Sequence, residues 1–148
     1  VCDFVMNDKC AAGTGRFLEI MAQRLEEKPE DFSLLAERSL KPAAVTSMCT
    51  VFAESEIIGL LAQGVCKEDI AAGLYRAIAD RAAAMIDKMP ASASLVFTGG
   101  LSRHGHLSME LERRLATPVL VAENGVFTGA LGAALAAEEY VKRKGLGG

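Results

Sequence analysis

The stretch "ASLVFTGGLSRHGHLSMELERRLATPVLVA", residues 93–122, sets the fold class. "ASLVFTGG" is a short apolar run that ends in a double glycine, the mark of a buried strand entering a loop. "HLSMELERRLA" has helical spacing, "PVLVA" is a second strand, and "TGALGAALAAEEYVKRK" is a closing helix. Strands alternating with helices predict an α/β layer architecture. Ligands of open α/β sheets sit at the carboxyl ends of strands. Glycine, having no Cβ, lets backbone N–H groups come close to such a ligand. Gly99, Gly100 and Ser102 are therefore candidates for a phosphate or adenosine site, with an ordinary strand-to-loop turn as the alternative.

Toward the N-terminus the chain reads as follows. "CDFVM" has strand-like alternation, with "ND" as the turn after it. A helix is predicted from Thr14 to about Glu27, with Phe17, Leu18, Met21 and Leu25 at helical spacing and Thr14 as its cap. "KPEDFSLLAER" is a short helix with Pro29 near its start. "KPAAVTSMCTVFA" is rich in β-branched and small residues and reads as extended, and "ESEIIGLLAQG" as a helix ending at Gly64. Lys67 to about Met89 is the longest helical segment, with Ile70, Leu74, Ile78 and Met85 on its apolar face and Pro90 after its end. "GLGG", residues 145–148, reads as a loose tail.

A length of 148 residues suits a single lobe, and the 51% apolar content can build a core. A net charge of −3 with no basic run argues against nucleic-acid binding. No apolar stretch reaches the roughly 18 residues of a membrane span, and no signal peptide is visible. Because "VCDFVMND" has no initiator Met and opens in strand-like sequence, we expect a piece of a longer protein. Four cysteines without a C-x-x-C and without a secretory signal point to reduced thiols in a cytoplasm.

Before the first helix stands "MNDKCAAGTGRFLEI", Met6 to Ile20. Gly13, Thr14 and Gly15 precede the helix, where free N–H groups and the helix dipole favour an anion. The spacing is neither a Walker A motif nor a dinucleotide fingerprint. The dipole also lowers the pKa of a nearby thiol, which would make Cys10 a metal ligand or a nucleophile, or leave it a structural cysteine before a cap. Cys49, in "TSMCTVFAESE", reads on its own as a small core residue. Cys10 and Cys49 cannot complete a four-thiolate site, but two copies of the chain could. Cys2 and Cys66 have no motif context and read as structural. His104 and His106 read as surface-loop residues. Glu54 and Glu56 suit the start of a helix.

"MNDKCAAGTGRFLE" with "CTVFAESEII", then "VFTGG" and "NGVFTGALGAALAA", resembles the C-terminal half of the activator ATPases of 2-hydroxyacyl-CoA dehydratases, a family that includes benzoyl-CoA reductase ATPase subunits. The resemblance spans nearly the whole chain in the expected order. It implies the α/β fold of acetate kinase, sugar kinases, Hsp70 and actin (ribonuclease H-like), here one C-terminal lobe over residues 1–148. It implies a homodimer with one [4Fe-4S] cluster shared between protomers, held here by Cys10 and Cys49, and a helix opening at about Thr14 aimed at it. It also implies ATP-driven electron delivery to a dehydratase or reductase component. It draws Gly99 and Gly100 into the adenosine site. The phosphate loops and the Mg²⁺-holding acids would lie in the other half, so this chain alone is expected to bind ATP poorly and not to hydrolyse it. Two other readings are a sugar-kinase-like phosphotransferase, for which no carboxylate base stands out, and a non-catalytic dimerisation or metal-binding lobe.

Overall fold

A computed structural model describes residues 3–7, 15–47, 49–90 and 94–145. Helix α1 (Gly15–Arg24) buries Phe17, Leu18 and Met21 at helical spacing, as expected, together with Ala22, and Leu25 just past its end is buried too. Glu26, at a positive φ of 58°, reverses the chain after it. Helix α2 (Phe32–Glu37) follows a turn that contains Pro29.

Helix α3 (Thr50–Ala62) begins four residues earlier than "ESEIIGLLAQG" suggests. The expected extended run therefore stops before Thr50, and Cys49 becomes the N-cap residue. The β-branched Thr50 and Val51 are overridden because Ala53 and Ile57 bury one helical face. Gly64, at φ 80°, ends that unit.

Helix α4 (Lys67–Ile86) is the centre of the core. Its Ile70, Leu74, Tyr75 and Ile78 lie among Phe32 and Leu35 of α2, and Leu107 and Leu111 of α5 (Gly105–Leu115). α4 packs directly on α2 and α5. Strands β1 (Leu95–Phe97) and β2 (Val119–Val121) pair in parallel, Leu95 against Val119 and Phe97 against Val121, with α5 as the crossover. The Val119 N–H donates to Glu112 Oε1 at 2.9 Å, tying β2 back to that crossover. Helix α6 (Thr128–Lys144) buries none of its residues and displays Leu131, Leu135 and Tyr140.

The strand expected at "CDFVM" is not present in residues 3–7. A strand needs a ladder, and the sheet consists of β1 and β2 among the described residues. The segment is instead tied by Asn7, whose Oδ1 accepts from Arg81 Nε at 3.0 Å, while Phe4 and Met6 stay exposed.

Candidate functional site: a cleft at the glycine turn and a strapped cysteine

At the carboxyl end of β1 the chain turns through Gly99, with φ 90° and ψ −178°, a conformation essentially limited to glycine. The Gly99 N–H donates to the Gly125 carbonyl at 2.8 Å, so the turn after β1 is clamped to the turn after β2. Ser102 is buried, and its hydroxyl donates to the Gly99 carbonyl at 2.7 Å. A Cβ on Gly125 would stand 3.0 Å from that Ser102 Oγ and 3.5 Å from Thr98 Cα. Ser102 thus builds the turn from inside. Gly100, Leu101, Arg103 and His104 line a cleft of about 470 Å³, within the range of small-molecule sites.

The cleft has three walls. Gly15, Leu18 and Glu19 come from α1, Pro29, Glu30 and Ser33 from the turn into α2, and Gly100, Leu101, Arg103 and His104 from the turn after β1. The structure therefore brings the end of the "GTG" motif to the double-glycine turn: Leu101 Cδ2 stands 3.6 Å from where a Gly15 Cβ would be. Cys10, Gly13 and Thr14 lie outside the described residues, as do Cys2 and residues 146–148 of the tail.

The second feature is the segment that delivers Cys49. The Asp69 carboxylate accepts from Ser39 Oγ at 2.6 Å and from the N–H groups of Leu40 and Lys41 at 3.2 and 3.0 Å. The Asp69 carbonyl takes the Ala43 N–H at 2.8 Å. Farther along, Glu56 accepts from the N–H of Thr46 at 3.0 Å, the Thr46 hydroxyl at 2.9 Å and the N–H of Ser47 at 2.8 Å. Residues 39–47 are thus strapped across the starts of α3 and α4, and they lead to Cys49, whose thiol is exposed. Cys49 is not the core residue its local sequence suggests. Its carbonyl receives the Ala53 N–H at 2.8 Å and opens α3.

Partial burial acts to raise the Glu56 pKa, but the bonds from Thr46 and Ser47 outweigh it and hold the carboxyl below its usual range. Glu56 is not the helix-start carboxylate its position suggests; it lies a turn and a half inside α3 and holds the strap. Glu54 pairs instead with Arg24 at 3.0 Å. Replacement of Glu56 by Ala should speed amide exchange at Thr46 and Ser47 while leaving exchange in α4 unchanged; hydrogen-exchange mass spectrometry or NMR checks this.

Cys66 also differs from the reading as a structural thiol, since it is exposed at the N-cap of α4. The Asp69 N–H acts to lower its pKa. Desolvation and the Asp69 and Glu68 side chains outweigh that and push it up, which suppresses its thiolate.

His106 is not a surface-loop residue. His106, 4% exposed, packs edge-on against Tyr75 with ring centroids 5.3 Å apart. Its two ring nitrogens are buried without hydrogen-bond partners. His104 is half-buried, and its Nδ1 lies 2.7 Å from the Tyr75 phenol oxygen. Nearby, the buried Glu110 accepts from Arg113 at 2.7 and 2.9 Å and stands 3.5 Å from Arg76 Nε. The signal for His106 was present in "GHLSMEL": His106, Leu107, Glu110 and Leu111 share one helical face.

Burial lowers the pKa of both histidines. For His106 the carboxylates of Glu110 and Glu37 act in the opposite direction and do not win. The unfolded chain titrates its histidines near about 6.5, so below that pH it binds more protons than the fold does. Stability is complete above about pH 6.5 and falls as the pH drops toward the lowered folded values. A plot of Tm against pH should bend downward from about 6.5, well above the carboxylate range, and His106→Leu should flatten that bend.

Residues 1–137 match the family described as the BadF/BadG/BcrA/BcrD ATPase family. The chain belongs to that family. Among curated relatives, it is 44% identical over 133 residues to the (R)-2-hydroxyglutaryl-CoA dehydratase activating ATPase of Acidaminococcus fermentans, covering 90% of this chain and 51% of the relative. It is 43% identical over 141 residues to the activator of lactoyl-CoA dehydratase of Anaerotignum propionicum, covering 95% of this chain and 54% of the relative. A solved structure, the activator of the 2-hydroxyisocaproyl-CoA dehydratase from Clostridium difficile with bound ADPNP, superimposes with a TM-score of 0.90 at 37% identity over 97% of this chain and 54% of that one. The fold is thus that of the dehydratase-activator ATPases, and the chain spans about half the length of the relatives it matches. No helix among the described residues is long and apolar enough to cross a membrane.

Proposed function

We propose that this chain is the C-terminal half of an ATP-driven electron-transfer activator that serves a 2-hydroxyacyl-CoA dehydratase. The observation that carries the reading is the cleft itself. It joins the start of α1 to the Gly99–Gly100 turn, in a fold shared with an activator solved with an ATP analogue. With two carboxylates, Glu19 and Glu30, against the one guanidinium of Arg103, the cleft suits the ribose hydroxyls of ATP better than its polyphosphate, so it takes the nucleoside end. The phosphates and Mg²⁺ then extend toward the other half of the protein. Leu131, Leu135 and Tyr140 on the unburied α6, with Phe4 and Met6, are the apolar surface such a half would cover.

Cys49 has the chemistry of an iron–sulfur ligand. Cys49 presents an exposed thiol at the mouth of a 13-residue helix, on a segment that two carboxylates hold in place. Thiolates are the usual ligands of such clusters, and a pair from each of two protomers makes four. Cys10 and Cys49 would hold the cluster in a homodimer; when bound, it supplies one-electron transfer at low potential. The chain's own part is to link two sites. Gly15 lines the nucleotide cleft and stands five positions after Cys10 in the sequence, so one short segment serves both. Nucleotide occupancy can bias the segment that carries the thiol.

The test uses the full-length protein, prepared without oxygen, with a 2-hydroxyacyl-CoA dehydratase and a low-potential reductant. We expect ATP-dependent dehydratase activity and ATP hydrolysis, and neither from the 148-residue chain alone. ATP hydrolysis without dehydratase activation, together with phosphorylation of a sugar, would favour the kinase-like alternative.

A further inference from the structure

We infer that Tyr75 fixes the His104 tautomer through their hydrogen bond and that His104 presents its Nε2–H to the nucleoside bound in the cleft. This inference rests on the nucleotide reading above and assigns a positioning role to residues that the reading does not use.

Tyr75 is fully buried, and a buried phenol needs a partner for its O–H. His104 Nδ1 is 2.7 Å away and serves as the acceptor. Desolvation pushes the Tyr75 pKa up, so the phenol keeps the proton it donates. A neutral imidazole that accepts at Nδ1 carries its hydrogen at Nε2. His104 lines the cleft with Gly100, and Nε2 is the ring nitrogen that Tyr75 does not engage. A ring nitrogen of the base or a ribose oxygen is the complementary acceptor.

The full-length protein, labelled with ¹⁵N-histidine, is titrated with ADP and followed by long-range ¹H–¹⁵N spectra, which report imidazole tautomers directly. The free protein should show His104 as the Nε2–H tautomer, and ADP should shift the Nε2 resonance. Tyr75→Phe should mix the tautomers and weaken ADP binding roughly tenfold, the scale of one hydrogen bond. His104→Ala should weaken it similarly. His104→Gln, whose amide N–H sits near the position of Nε2, should restore most of the affinity. An Nδ1–H tautomer in the free protein, an Nε2 signal that ADP leaves in place, or equal affinity of His104→Ala and wild type overturns the inference while nucleotide binding stands. Absence of ADP binding to the wild type removes the nucleotide reading and the inference with it. Should Tyr75→Phe fail to fold, the wild-type spectrum and the two His104 variants decide the matter.

Discussion

Gly73→Ala should lower the stability of the protein by about 2–4 kcal/mol, although alanine is the better helix former. Gly73 lies in the middle of α4, and a Cβ built on it falls 2.2 Å from the Ala43 carbonyl oxygen, 3.1 Å from the Ala43 carbonyl carbon and 3.2 Å from Val45 Cγ2. Two of those atoms are backbone, so no rotamer change relieves the clash. The strap is itself anchored, with the Ala43 N–H held by the Asp69 carbonyl at 2.8 Å. Either α4 moves out of the core or residues 42–45 lift from it. The helix-propensity gain of about 1 kcal/mol offsets only part of the cost. Gly59→Ala in α3 is the control, because a Cβ there meets nothing within 4 Å among the described residues. It should stabilise by about 0.5–1 kcal/mol. Thermal unfolding of the two variants should move Tm in opposite directions, Gly73→Ala downward by roughly 10 °C. Gly73→Ala with an unchanged Tm would mean that the strap does not lie against α4.

The largest functional effect is expected at the thiols. Cys10→Ser or Cys49→Ser should take the iron content from about four per dimer to near zero, since a four-thiolate site that loses a ligand from each protomer keeps two. Cys66→Ser is the control within the same chain; its thiol is exposed too, but carboxylates surround it and it opens a different helix. Iron and sulfide analysis with molar mass, on anaerobically purified full-length protein, reads all three variants. Full iron in Cys49→Ser would remove Cys49 from the ligand set and leave its exposed position at the start of α3 without a role. Intact dimers without iron would show that the cluster is not what joins the protomers.

How much of this was legible beforehand depended on the kind of interaction involved. The stripe Phe17, Leu18, Met21 and Leu25, and the stripe Ile70, Leu74 and Ile78, were readable because helical burial repeats at fixed spacing in the sequence itself. The strand that ends at Phe97 and the turn at Gly99 were readable because only glycine suits that backbone. The strand expected at "CDFVM" failed because alternation specifies a face but not a neighbour, and residues 3–7 have no ladder partner in the sheet of β1 and β2.

The electrostatic devices were the part that spacing could not show. Asp69 reaches back about 30 positions to Ser39, and Tyr75 reaches forward by a similar span to His104, so no local window contains both partners. Glu56 resembled any carboxylate near a helix start, and its role became visible only once Thr46 and Ser47 were seen against it. His106 read as a surface-loop residue because the H-x-H pair around Gly105 has no thiol or carboxylate partner placed near it in the sequence. Helix α5 begins at that glycine, and this turns the second ring into the core.

The sequence by itself determined which segments are helix and strand in the second half of the chain, where the glycine turn lies, and which family the chain resembles. Those properties are written in local composition and in motifs. Only the tertiary structure decided that the start of α1 and the Gly100 turn form two walls of one cleft, that residues 39–47 are strapped to α3 and α4, and that His104 hangs from a buried tyrosine. Each of these depends on bringing distant residues within hydrogen-bonding or van der Waals range. That follows from how the helices pack around α4, and not from any spacing along the chain.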